Sequence, residues 1–149
     1  MIVRTLDDIA GSDREVVTKN WTSRRFLLKN DGMGFSLHDT VVKPGTETYM
    51  WYAHHVEAVY CVEGEGELED IESGEVFPIR AGTLYALDGH EKHRLRARTP
   101  MRMVCVFNPA LTGTEVHDED GVYPLIEEAA DARAAGPVDK PPAAATSDP

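Results

Sequence analysis

Glu57, Tyr85 and His93 stand in two glycine-bounded segments whose spacing suits a metal site, and together they offer a carboxylate, a phenol and an imidazole. In the first segment Gly45 is followed by five residues, by Trp51-Tyr52-Ala53, by three residues, by Glu57, and after six more by Gly64. In the second, Gly82 is followed by five residues, by Asp88-Gly89-His90, by Glu91-Lys92 and by His93. A register begun at Gly74 instead puts Tyr85 where the first puts His93. Residues two apart on a strand share a face, so polar side chains at such intervals converge when strands close around an interior. Glu57 has apolar neighbours in Val56, Ala58, Val59 and Cys61. A carboxylate turned inward from such a strand needs a cation or hydrogen-bond donors; turned outward, it is an ordinary solvated side chain. If Leu87 and His93 flank a hairpin turn at Asp88-Gly89, Tyr85 shares a face with His93. Tyr85 then reads either as a ligand or as a core aromatic whose hydroxyl meets a backbone carbonyl. Such an oxygen-rich donor set suits a hard or borderline ion, Fe(II) before a thiolate-seeking metal, and leaves coordination positions for substrate or water.

The flanks add groups for binding and proton transfer. Met101, Met103, Cys105 and Phe107 alternate with Arg102, Val104 and Val106, so the first set shares one face. Cys105 on that face reads as a small buried hydrophobe or as part of a site wall. Beyond Phe107, Pro109 and Gly113 frame a loop on which Glu115 and His117 alternate. A Glu/His pair at the mouth of a barrel can move protons, and it can equally be a solvated loop. His38, His54, His55 and His90 fall off the spacing and are left outside the ligand set.

The elements that must position these groups are short. Apolar or alternating runs cover residues 2–4, 15–18, 23–28, 34–42, 46–52, 56–63, 66–70, 75–78, 83–87, 93–97 and 101–107, with Gly, Pro and Asp between them. Such a series predicts an all-β sandwich or barrel, with a helical turn over 6–9 and a second helix over 123–135. The chain of 149 residues is long enough for one cored domain. The domain is expected over residues 1–134, its last part a helical or lid segment. Residues 135–149, rich in Ala and Pro, are expected to be a disordered tail. A net charge of -11 argues against nucleic acid as a partner. The first residues carry no signal-peptide pattern, no apolar run is long enough to span a membrane, and two cysteines are few for a secreted scaffold. The reading is a cytoplasmic protein with reduced thiols.

The two segments resemble the paired motifs of the cupins, single-domain β-barrels of jelly-roll type that usually hold a metal on three histidines and a glutamate. Glu57 and His93 keep their places in that frame, whereas the His-x-His pair is replaced by Trp51 and Ala53. Longer strings narrow the resemblance. MIVRTLDDI, NWTSRR, DTVVKPGTETYMWYAHHVEAVYCVEGEGE, LYALDGHEKHRL and VFNPALTGTEVHDEDGVYP are similar to the ectoine synthase family over residues 1–130. That resemblance implies a carbon–oxygen hydro-lyase that closes N4-acetyl-L-2,4-diaminobutyrate to the cyclic amidine ectoine with loss of water, a step in making a compatible solute under osmotic stress. It implies Fe(II), or another divalent metal, on Glu57, Tyr85 and His93. It implies substrate contacts from Trp21, Arg25, Thr40, Tyr52, Cys105, Phe107, Glu115 and His117, with Tyr52, Glu115 and His117 as acid–base groups. Thr40 and Arg25 are the expected carboxylate holders. The resemblance also implies a homodimer with a small-molecule substrate. Glu91 stands where the family is familiar with Asp and keeps the charge. Two other readings compete: an iron-dependent cupin dioxygenase or isomerase, and a non-catalytic small-molecule-binding cupin, which the missing His-x-His pair favours.

Overall fold

Alternating burial runs through most of the chain, and the computed structural model, which describes residues 1–126, folds these segments into two antiparallel sheets. In chain order the elements are α1 (Leu6–Ile9), β1 (Glu15–Val17), β2 (Trp21–Leu27), a 3-10 turn (Lys29–Asp31), β3 (Ser36–Val42), β4 (Glu47–Met50), β5 (Val56–Glu63), β6 (Glu65–Asp70), β7 (Val76–Arg80), β8 (Leu84–Leu87), β9 (His93–Ala97) and β10 (Met101–Asn108). One sheet has the order β1-β2-β3-β10-β5-β8 and the other β4-β9-β6-β7. Inward residues of both sheets form one apolar cluster, including Val59, Leu87, Leu95, Met101, Met103 and Phe107. This is the expected all-β jelly-roll barrel with short helical turns.

Register sets the chemistry. Pairing aligns Arg25, His38, Cys105, Val59 and Tyr85 in one row across β2, β3, β10, β5 and β8. The next row runs through Phe107, Glu57 and Leu87, and the row on the other side through Ser23, Thr40, Met103 and Cys61. Strand alternation turns these rows toward the interior, as β10 shows with Met101, Met103, Cys105 and Phe107 all buried.

Three expectations change. Residues 2–4 form no strand; Arg4 instead donates to the Phe26 carbonyl at 2.6 Å and pairs with Asp31 at 2.7 Å. Residues 88–92 are not a hairpin turn, because β8 pairs with β5 while β9 pairs with β4 and β6. The chain crosses from one sheet to the other there, so Tyr85 and His93 come from opposite sheets. Turn residues signal a reversal of the chain but do not specify which sheet receives it. No helix begins at Tyr123 within the described residues; the rest of that predicted helix and the tail over 135–149 lie outside them.

Gly64, the last position of the first motif, has φ +94°, and a Cβ there would sit 2.1 Å from the Pro100 carbonyl oxygen. Both the backbone conformation and the close approach exclude a side chain. Gly64→Ala is therefore expected to destabilise the fold by more than about 2 kcal/mol, read as a shifted midpoint in urea unfolding.

Candidate active site

A narrow cavity of about 50 Å³ lies inside the barrel, room for roughly three to five waters. Eight of the expected site residues line it: Trp21, Thr40, Tyr52, Glu57, Tyr85, Cys105, Phe107 and His117. Ser23, His38 and Tyr123 line it as well, and motif spacing missed all three. Alternation could have found the first two, since Ser23 shares a face with Trp21 and Arg25, and His38 with Thr40. Tyr123 carries no such signal, because it follows a loop.

Glu57 is 6% exposed. The Cys105 thiol beside it holds its carboxylate down slightly, as the Thr40 hydroxyl does for Cys105. One thiol is a weak donor, so burial pushes Glu57 up to about 8 despite it. The Tyr85 and Cys105 protons are held more tightly than usual, by burial first and then by the charge of Glu57. His93 lies opposite on β9. Its Nδ1–H donates to the Glu91 carbonyl at 3.0 Å, which leaves Nε2 as the lone-pair nitrogen, buried and without a partner among the described residues. Its ring lies 5.6 Å from that of Tyr52. Tyr85 and His93 also line a second cleft of about 440 Å³ between β7 and β8, so Tyr85 is a wall between the two spaces. No three His, Cys, Asp or Glu side chains cluster as a metal site among the described residues; a Glu–Tyr–His set has another composition. Its members fit a cation. An orphaned imidazole nitrogen, a carboxylate whose charge lacks donors and a phenol whose ionisation is disfavoured are the groups that a bound cation would relieve.

Tyr52 sits where the motif frame would not put an inward residue. β4 ends at Met50, and beyond it Met50 and Tyr52 are buried while Trp51 and Ala53 are not. The inward parity is thus shifted by one residue from the His-x-His frame. Trp51 is held outside, its N–H on the Gly121 carbonyl and its ring under the Lys92 ammonium at 4.5 Å. The Tyr52 hydroxyl lies 3.0 Å from His117 Nε2. His117 stacks on Tyr123 with centroids 4.3 Å apart and meets the edge of Trp21 at 5.6 Å. Burial, then the neighbouring His93 and Arg25, lowers His117 to about 4. Burial, then Glu57, raises Tyr52 well above the usual phenol value. The Met50 sulfur also lies 3.3 Å from the hydroxyl, but the imidazole nitrogen is the stronger acceptor, so in this neutral pair the phenol donates to His117.

Arg25 and Glu115 do not line the cavity. Arg25 is fully buried; its Nη1 and Nη2 donate to the carbonyls of Gly113 and Glu115 at 2.8 and 2.6 Å. The Glu115 carboxylate accepts from the Thr112 N–H and hydroxyl, both at 2.7 Å, and from the Gly113 N–H at 2.8 Å. Arg25 Nη1 is 3.7 Å from it. Burial alone would raise Glu115, but the donors from Thr112 and Gly113 outweigh it and lower it. A carboxylate so saturated is poorly placed to carry protons. The Nη donors of Arg25, an expected carboxylate holder, go to the loop backbone. Glu115 and His117 also part company, because the loop is not a strand: Glu115 turns back onto its own turn while His117 reaches the cavity. His90, set aside as a turn residue, has φ 57°, and its Nδ1 lies 2.7 Å from the Tyr52 carbonyl, fastening that segment.

The chain is similar to known proteins both in sequence and in fold. The sequence model of the family Ectoine synthase matches residues 1–127. L-ectoine synthase of Halalkalibacterium halodurans is 61% identical over 128 residues, which cover 86% of this chain and 99% of that one. L-ectoine synthase of Desulfatibacillum aliphaticivorans is 62% identical over 130 residues, 86% of this chain and 100% of the relative. Among solved structures, ectoine synthase from P. lautus is 58% identical with a TM-score of 0.77, covering 93% of this chain and 100% of its own. An RmlC-like cupin from Shewanella frigidimarina, 21% identical with a TM-score of 0.55, covers 64% of this chain and 82% of its own and shares the fold.

Two outcomes follow from the clamp and the aromatic pair. Glu115→Ala strands the Thr112 and Gly113 donors and leaves Arg25 without its counter-charge, an expected loss of roughly 2–4 kcal/mol in chemical denaturation. Folded His117 takes its proton only near pH 4, whereas an unfolded imidazole does so near 6.5. Between those values the unfolded chain binds more protons, so this residue's contribution to stability falls as pH drops from 6.5 to 4. A ring NMR titration of His117 with its midpoint above 6 would contradict this.

Proposed function

The chain belongs to the ectoine synthase family, and from that premise we propose that it cyclises N4-acetyl-L-2,4-diaminobutyrate to ectoine and water, as a carbon–oxygen hydro-lyase, in the cavity between Trp21, Glu57 and His117. The observation that carries this reading is the buried, partnerless His93 Nε2 on the sheet opposite Glu57 and Tyr85, beside a cavity walled by Trp21, Phe107 and Tyr123. Glu57, Tyr85 and His93 would hold a divalent metal, Fe(II) first, whose chemistry when bound is to polarise the acetamide oxygen as a Lewis acid.

The remaining work falls to the protein's own groups. The free 2-amino nitrogen attacks the acetamide carbon, the carbonyl oxygen leaves as water, and two protons travel from nitrogen to oxygen. The Tyr52 hydroxyl already donates to His117 Nε2, so it passes a proton on to the imidazole as it takes one from the amine. This relay avoids a buried phenolate, which the surroundings of Tyr52 oppose. Returned to the tetrahedral oxygen, this proton makes a hydroxyl, and the second proton from nitrogen, carried over the same route, releases it as water. Trp21 and Phe107 fold the substrate toward ring closure and keep bulk water out, which matters for a dehydration. Cys105 and Thr40 orient Glu57, and Thr40 also faces the substrate's carboxylate. Arg25 and Glu115 act one layer back by fixing the loop that carries His117.

On the same reading the protein is a cytoplasmic homodimer that makes a compatible solute under osmotic stress, with a small molecule as its partner rather than nucleic acid or membrane. The net charge of -11 supports the first exclusion. No helix among the described residues is long and apolar enough to cross a membrane.

The test is turnover of the acetylated diamino acid by the full-length protein with Fe(II) added or chelated, following ectoine by chromatography. Activity is expected only with metal. Glu57→Ala, Tyr85→Ala and His93→Ala should each bind well under one metal per chain in elemental analysis while remaining folded. Full metal retention in all three would remove the ligand assignment. Oxygen uptake without ectoine formation would favour a dioxygenase in the same barrel.

A further inference from the structure

Three buried side-chain nitrogens have no hydrogen-bond partner among the described residues: His93 Nε2, His55 Nδ1 and His38 Nε2. The first belongs to the proposed metal site. The second lies at a separate hollow beside Glu115 and Pro109. His38 lines the substrate cavity itself, and neither the metal set nor the proton relay uses it.

The proton on His38 can be located from its neighbours. Arg25 Nε–H donates to Ser23 Oγ at 3.2 Å, and Ser23 Oγ lies 3.2 Å from His38 Nδ1. A guanidinium nitrogen only donates, so the single Ser23 hydroxyl proton turns away from Arg25, and His38 Nδ1 is the acceptor within its reach. A neutral imidazole that accepts at Nδ1 carries its proton on Nε2. Burial, then the charge of Arg25, keeps the ring neutral. The ring is 1% exposed and tilted against Phe107 at 5.3 Å, so its direction is fixed by packing. Nε2–H is thus a buried donor on a residue of the cavity wall, with no acceptor among the described residues, and a buried donor left unmet is costly.

We propose that His38 is a substrate-binding residue whose Nε2–H donates to the carboxylate of the acyclic amino acid. The inference rests on reading the cavity as the site of ectoine formation. The carboxylate is the acceptor because of where His38 stands. It lies on β3 beside Thr40, three strands from Tyr85 on β8. With the acetamide at Glu57, Tyr85 and His93, the far end of the substrate faces β3. The Arg25–Ser23 chain then acts through His38, giving the carboxylate a neutral, pre-oriented donor backed by a buried positive charge.

The experiment compares wild type, His38→Leu and His38→Gln, all full length and loaded with Fe(II). It measures kcat and KM for the acetylated diamino acid and inhibition by N-acetyl-1,3-diaminopropane, which lacks the carboxylate. His38→Leu should raise KM roughly ten- to hundredfold with kcat changed less than about threefold. His38→Gln, whose amide nitrogen reaches the place of Nε2, should recover most of the loss. Inhibition by the analogue should be nearly equal in wild type and His38→Leu. Equal weakening for both compounds, or an unchanged KM, overturns the inference. The nitrogen NMR signature of the metal-free wild type gives an arm that needs no variant: a proton on Nδ1 rather than Nε2 also overturns it. Absence of turnover by wild type would instead fell the underlying functional reading, and this inference with it.

Discussion

A carboxylate turned into an apolar barrel is costly, and much of the interior is organised around Glu57. Glu57 is delivered there by strand alternation on β5, between Val59 and the apolar wall of β10. Within the protein it meets a thiol, and its proton is held up to about 8. The tyrosines and Cys105 around it are all harder to ionise than usual, by burial first, and Glu57 adds to each. Neutrality of the pocket is therefore a collective property. A cation held by the proposed set of Glu57, Tyr85 and His93 would invert that balance and leave the groups further out neutral.

Much of this was legible in the residues. The strands over 56–63 and 93–97 were read with their observed limits, and the motif spacing put Glu57 and His93 inside the barrel. What sequence could not supply was which sheet receives each strand. A turn signal at Asp88-Gly89 looks the same for a hairpin and for a crossover, so Tyr85 and His93 were expected on one face and were found on facing sheets. Parity is readable only while a strand lasts. β4 stops at Met50, and from there Tyr52 takes the inward place that the frame would give to Trp51 and Ala53. Loops hide most. Glu115 and His117 are two apart, yet their side chains serve different ends because hydrogen bonds to Thr112 and Gly113, not strand geometry, orient the first. His38 was discounted as a lone histidine, although its parity with Thr40 was visible.

The absent His-x-His pair also has a structural explanation. With residue 51 outside the barrel and residue 52 inside, histidines at 51 and 53 would point away from Glu57. The position gained, Tyr52, packs against His93, Phe107, His117 and Tyr123 with ring centroids 5.0–5.6 Å apart. The shift exchanges two potential ligands for one aromatic that joins the His93 side of the cavity to the His117 side.

The loop that carries His117 is tied to the sheet at widely separated points: Leu111 to Lys29 and Ser36, the carbonyls of Gly113 and Glu115 to Arg25, and Gly121 to Trp51. Arg25 is 88 and 90 residues away in sequence from the two carbonyls it grips. The resting place of a cavity-wall histidine is thus set by a residue of β2, like a lever whose fulcrum is out of sight. Residues 109–123 hold the histidine and β2 holds its anchorage, so the loop and β2 form one mechanical unit despite their distance along the chain.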